Sequence, residues 1–286
     1  MRVYLASAAA GFLLLSYPVV EGYPARWSIV LGMAGIALGS ISLLVYVRRL
    51  LFAAASAPHA AFFAASLALI ISSSLGGDLL LWTVLAGTLI IYSLGYAVYS
   101  GMDPDDATAL FASLTTSLGV VTMYYAITHY STGASLSSIV LGDPLLASRE
   151  EIAYAAVIGT AALMASLAAA REISYMGVDR EDAKLSGIRT WAYDLALFTL
   201  LALTVVGLVR VVGFAVEHVL VLIPGAVATM HSRGPTHAVL ASVSLSLLAS
   251  GLALVTGVLL NLSPSGLIGV FMVTIYAVAV ALGWRK

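Results

Sequence analysis

Runs of about 20 apolar residues, the length a helix needs to cross the hydrocarbon of a bilayer, recur along this chain at short spacing. They predict spans at Val3 to Val20, Trp27 to Val47, Phe52 to Ser74, Leu79 to Tyr99, Ala107 to Thr128, Ile152 to Ala170, Trp191 to Val209, Val211 to Met230, Ala238 to Leu260 and Leu267 to Trp284. That makes ten helices. The polar connectors carry the expected chain breakers: Tyr23-Pro24, Gly76-Gly77-Asp78, Gly101-Met102-Asp103-Pro104, Gly234-Pro235 and Ser263-Pro264. Two spans nearly touch at Arg210, where a short or re-entrant helix starting near Gly213 fits, since non-helical backbone is tolerated where it lines a cavity.

Composition turns this pattern into a class. The 286 residues are 61% hydrophobic and 9% charged, against about 25% charged in a soluble domain, and mean hydropathy is +1.04. The expectation is an all-α polytopic membrane protein, a single transmembrane domain over residues 1–286 with no soluble domain appended. The segment Val3 to Val20 follows Arg2 as a signal peptide would, but it runs on to Glu21 without an A-x-A-like site and reads as the first span. A net charge of −1 offers no basic patch for nucleic acid. The absence of cysteine removes disulfides, thiolate metal sites and thiol catalysis, so any metal would be held by His, Asp, Glu, Met or backbone oxygen.

Charge also orients the bundle. On alternate sides of a ten-span chain, Arg2, Arg48, Arg49, Arg171, Arg180, Lys184, Arg189, Arg233, Arg285 and Lys286 share one side, whereas only Arg26, Arg149 and Arg210 fall on the other. The excess of positive charge predicts a cell-membrane protein with both termini in the cytoplasm. The longest cytoplasmic connector, Arg171 to Thr190, has a helix-start signal at Asp179, three charges in the next turn and a glycine at Gly187 where a short helix would stop. It reads either as a solvated loop or as a surface helix that docks into a cytoplasmic partner. The external segment Tyr130 to Glu151 is rich in Ser and Gly, carries Leu136, Ile139, Val140, Leu141, Leu145 and Leu146, and ends on the carboxylates Asp143, Glu150 and Glu151. It reads as a plain loop or as an interfacial element offering acids to an external partner.

Several chemistries are excluded. The two lysines, Lys184 and Lys286, sit in no G-x-x-x-x-G-K-[ST] loop, so ATP hydrolysis would need a separate subunit. Tyr193-Asp194 opens a span as the first motif of an intramembrane aspartyl protease does, but no Gly-x-Gly-Asp follows it, leaving no second aspartate to share a proton. Glu217-His218 lacks the second histidine of an H-E-x-x-H zinc protease. What remains is three ionisable residues well inside apolar spans: His59, Glu217 and His218. Intramembrane charge is costly, so such residues face a bundle interior, a cavity or a subunit interface. Adjacent helix positions point about 100° apart, so in a regular helix at most one of Glu217 and His218 meets His59.

The order of these features resembles the membrane permease subunits of ATP-driven (ABC-type) importers for zinc, manganese and iron(II), over about Trp27 to Leu282. The resemblance rests on Arg48-Arg49 followed by His59; on the acid-led run from Asp106 to Ser113 ending near Leu118-Gly119-Val120-Val121; and on Val140-Leu141-Gly142-Asp143. It rests further on Asp179-Arg180-Glu181-Asp182-Ala183-Lys184-Leu185-Ser186-Gly187-Ile188, with Arg180 in place of a proline, on Val211-Val212-Gly213 leading to Leu222-Ile223-Pro224-Gly225-Ala226, and on Pro264-Ser265-Gly266.

The resemblance implies a type II importer-like permease working as a homodimer, with the translocation path at the subunit interface and a divalent metal ion as transported substrate rather than resident cofactor. It implies cytoplasmic ATPase subunits coupled through Asp179, Glu181, Ala183, Gly187 and Ile188, and an extracellular or periplasmic metal-binding protein docking near Asp143. One departure stands out. Family members commonly place an aspartate four residues before the histidine, on the same helix face; here that residue is Ala55. The expectation is therefore a metal path of His59 with Glu217 or His218, Glu217 supplying the missing carboxylate. The alternatives are a metal chelate or cobalamin-like cargo on the same fold, or an ion-coupled secondary transporter.

Overall fold

The computed structural model of the chain describes residues 2–130, 142, 144 and 147–283, without the side chains of residues 2, 3, 215 and 231. The apolar positions Leu136, Ile139, Val140, Leu141, Leu145 and Leu146, the acid Asp143, and Trp284, Arg285 and Lys286 lie outside the described residues. The described residues form helices α1 (Arg2–Val20), α2 (Ala25–Val47), α3 (Leu51–Leu75), α4 (Leu79–Tyr99), α5 (Pro104–His129), α6 (Arg149–Val178), the short α7 (Arg180–Leu185), α8 (Thr190–Leu201), α9 (Gly207–Val212), α10 (Phe214–His231), α11 (Pro235–Leu260) and α12 (Pro264–Gly283). One π-helical turn, Ala202–Val206, joins α8 to α9 in a continuous span. Among the described residues, eight helices are long and apolar enough to cross a membrane, and Tyr4–Val20 and Val216–Met230 are shorter apolar stretches. The chain is thus an all-α, multi-pass membrane protein.

Local chemistry sets the ends of these helices. Asp78 caps α4 by accepting from the Leu81 amide at 2.8 Å. Ser148 and Glu151 form a reciprocal capping box on α6, which satisfies backbone donors that a helix start leaves orphaned. The eighth span begins at Phe214 rather than Val211, because Val211 and Val212 continue the preceding helix until Gly213 turns the chain at φ +86°. That conformation suits glycine, and hydropathy is blind to a one-residue break between two apolar runs.

At the centre of the bundle lies α2, buried from Val30 to Val45 apart from Met33 and Ile36, with α11 against it. Small residues let these helices approach closely: a Cβ on Gly39 would run into Ser246, one on Gly11 into the Leu247 backbone at 2.7 Å, and one on Gly225 of α10 into the backbone of Ser42. Close backbone approach through small residues replaces the hydrophobic drive that is lost between helices in lipid. Two polar contacts reinforce it, Ser242 Oγ donating to the Gly39 carbonyl at 2.6 Å and the Gly225 amide donating to Ser42 Oγ at 2.9 Å. The π-turn is satisfied in the same way, with Tyr154 on α6 donating its hydroxyl to the Leu203 carbonyl at 2.6 Å.

Candidate functional site

His59 sits on α3 directly after Pro58. The proline has no amide hydrogen, so the turn that presents His59 lacks one ladder bond. The His59 ring is half-buried, and its Nδ1 lies 2.7 Å from Thr116 Oγ1 on α5. Thr116 Oγ1 also lies 2.7 Å from the Ala112 carbonyl, which can only accept. The single hydroxyl proton therefore goes to Ala112, the hydroxyl oxygen accepts from His59 Nδ1–H, and Nε2 keeps its lone pair.

A second imidazole stands opposite. His218 on α10 has its ring centroid 5.5 Å from that of His59 at 87°, and Phe214 packs edge-on against both, at 4.9 Å from His59 and 4.5 Å from His218. His218 Nδ1 lies 2.8 Å from the Phe214 carbonyl, so here too Nδ1 carries a proton, and Nε2 has no hydrogen-bond partner among the described residues. Two helices thus present two imidazoles, each oriented by a hydrogen bond at Nδ1, the arrangement that prepares histidine as a metal ligand. Among the described residues no group of three or more His, Cys, Asp or Glu forms a metal cage.

Glu217 is placed differently from His218. It is fully buried, and neither carboxyl oxygen has a hydrogen-bond partner among the described residues. Of the two neighbours expected to compete for His59, the structure brings the His218 ring to it, whereas Glu217 makes no hydrogen bond to His59 or to any other described residue. The replacement of the missing carboxylate by Glu217 beside His59 is not seen in this arrangement.

The segment expected to couple to a partner contains a formed helix, α7. Asp179 Oδ1 caps α7 by accepting from the amides of Glu181 and Asp182, both at 2.9 Å. The helix ends as Gly187, at φ +85°, donates to the Lys184 carbonyl and Ile188 to the Ala183 carbonyl, each at 3.0 Å. Ala183 is buried, Ile188 is half-buried, and Asp179, Glu181, Leu185 and Gly187 are exposed, so α7 offers one face outward.

The structure adds a feature that sequence reasoning passed over. Asp194, weighed only as a protease motif, receives Arg48 on one carboxylate oxygen and Arg180 on the other, each at 2.7 Å. Arg48 also donates to the Met176 carbonyl at 3.1 Å. This cluster ties the end of α2 and the end of α6 to α7 and the start of α8. The signal was legible as a lone acid opening a span on the arginine-rich side. Thr116 carried none, being one of several hydroxyls in α5. At the opposite end of the bundle, Arg210 pairs with Glu151 at 3.3 Å.

The model of the family described as "ABC 3 transport family" matches residues 25–283. A "Probable metal transport system membrane protein" of Thermotoga maritima is 24% identical over 196 residues, 68% of this chain and 67% of that protein. The manganese transport system membrane protein MntB of Synechocystis sp. is 25% identical over 169 residues, so the match spans 56% of this chain and 55% of that relative's length. Among solved structures, PsaBC from Streptococcus pneumoniae in complex with Fab matches with TM-score 0.75 at 19% identity, covering 88% of each chain. A transporter described as of metal-chelate type, in an inward-facing conformation, matches with TM-score 0.73 at 13% identity, covering 98% of this chain and 99% of the other. At those identities the structural matches establish the fold, and the family match, over nearly the whole chain, identifies it: the protein belongs to the ABC 3 transport family.

Proposed function

We propose that this chain is the membrane permease subunit of an ATP-driven importer for divalent transition metal ions, and that the ion passes the His59–His218 pair in transit. The observation that carries the reading is the pair itself: two imidazoles from different helices, both with Nδ1–H engaged and Nε2 free. Neutral imidazole suits zinc, iron and related ions, and two such ligands hold an ion loosely enough to release it. Family membership and the names of the relatives, one a manganese and one a metal transport membrane protein, support the same cargo class. In this reading the chain is not an enzyme. ATP hydrolysis belongs to a partner subunit received by α7, where the exposed Glu181, Leu185 and Gly187 would meet it, Asp179 caps the helix, and Ala183 and Ile188 seat it on the bundle.

The permease works as two copies with the path between them and receives its ion from an external binding protein near Asp143. The α7 end faces the cytoplasm with both termini. Coexpression with an ATPase and a binding protein, followed by metal-dependent ATP hydrolysis in proteoliposomes, tests the proposal. His59→Ala and His218→Ala should each abolish the response to manganese or zinc; a wild-type response in both overturns it. Among the described residues no group of three or more His, Cys, Asp or Glu gathers at the pair, and Ala55 stands where the family carries aspartate; both favour a second reading in which the cargo is a metal chelate. Stimulation by the chelate but not by the free ion would select it.

A further inference from the structure

Beside the Arg48–Asp194–Arg180 cluster, and away from the histidine pair, the helix ends enclose a cavity of about 440 Å³. Its walls are mainly apolar: Leu50, Tyr92, Val98, Leu195 and Phe198. Next to it lies a second cavity of about 520 Å³ with a different lining, bounded by Arg180, Lys184, Arg189 and the backbone around Thr190. Tyr99, Arg180 and Trp191 border both. An apolar slot thus opens onto a basic vestibule, with exposed Tyr99 and Trp191 at the junction, where aromatic side chains mark the boundary between acyl chains and headgroups.

The charges are not all spent within the protein. Asp194 neutralises one of its two arginines, and Lys184 is paired with Glu181 at 2.7 Å, but that pair is solvent-exposed and weak. Arg189 makes no ion pair among the described residues. The Nε atoms of Arg48 and Arg180 are buried donors with no hydrogen-bond partner among the described residues, and a buried donor left in that state costs free energy.

We infer that these adjoining cavities bind one anionic phospholipid, its acyl chain in the slot between α4 and α8 and its phosphate among Arg180, Lys184 and Arg189. Basic pockets between transmembrane helices bind lipid headgroups by this chemistry. Because Arg180 opens α7 and holds Asp194, a lipid seated there touches the element that ties α7 to the bundle. The inference does not depend on the cargo or on an ATPase.

The test uses the full chain in a mild detergent, titrated with dioleoyl phosphatidylglycerol, dioleoyl phosphatidylcholine or glycerol 3-phosphate and read by native mass spectrometry. One phosphatidylglycerol should be retained per chain in preference to phosphatidylcholine. The exposed pair Lys184→Gln/Arg189→Gln should weaken that preference about fivefold for each charge removed, from the ~1 kcal/mol that a basic residue contributes beside anionic lipid. Leu195→Trp, at a half-exposed wall of the slot, should reduce retention of phosphatidylglycerol with the charges intact. Equal retention of the two lipids, or a preference that survives the double substitution, overturns the proposal. Displacement by glycerol 3-phosphate overturns it as well, since the site would then bind a free phosphate.

Discussion

Thr116 is the residue on which the histidine site turns. Its oxygen is the acceptor that holds His59 in the Nδ1–H form with Nε2 free, although it contributes nothing to a metal directly. Losing such an outer partner costs about 10- to 100-fold in metal affinity. Thr116→Val should therefore raise the metal concentration needed for half-maximal ATPase stimulation by about that range, and Thr116→Ser should restore it; an unchanged concentration dependence would sever Thr116 from the site. Glu217 should behave in the opposite way. Both its oxygens are buried without hydrogen-bond partners among the described residues, and replacing an acid by a neutral amide of the same shape removes none of the hydrogen bonds seen there. Glu217→Gln should keep metal stimulation and should not lower the melting temperature. Loss of the metal response in Glu217→Gln would return the carboxylate to the path.

At the scale of elements, α7 is held by its cap, its glycine stop and Asp194. In Asp194→Asn the two arginines lose their shared counter-ion. Breaking a buried pair costs about 3–5 kcal/mol, and because the Arg180 side chain is 36% exposed the expected loss is nearer 2 kcal/mol. Thermal unfolding in detergent should show it as a lowered melting temperature, and coupling should weaken with it, since α7 loses its tie to α2 and α8. Gly187 is a separate lever. At φ +85° a residue with a Cβ is strained by about 1–2 kcal/mol, whereas asparagine tolerates the left-handed region best. Gly187→Arg should reduce copurification of the ATPase while Gly187→Asn retains it; equal copurification in both would remove Gly187 from the coupling surface.

At the scale of the molecule, the lack of cysteine makes topology directly measurable by single introduced thiols. Leu185→Cys in α7 and Leu262→Cys between α11 and α12 occupy exposed positions that the charge distribution assigns to opposite sides. A membrane-impermeant maleimide should label Leu262→Cys in intact cells and Leu185→Cys only after permeabilisation. The reverse pattern would invert the bundle and with it the identity of the coupling face.

Much of this organisation is written in one dimension. Apolar run length determines where helices lie, because backbone in hydrocarbon must satisfy its own hydrogen bonds. Capping residues and glycine determine where α7 starts and stops, because those signals act within a few residues. The family pattern along the chain placed the fold. The partner of His59 was not legible in that way. Adjacent Glu217 and His218 are equal candidates on paper, and only the rotation of α10 about its axis, set by Gly213 and by close packing of Gly225 on α2, decides that the imidazole meets His59 while the carboxyl is buried without a hydrogen-bond partner among the described residues. Asp194 shows the same limit. Its partners Arg48 and Arg180 are 146 and 14 residues away, and no local pattern records a contact that exists only once the helix ends have come together.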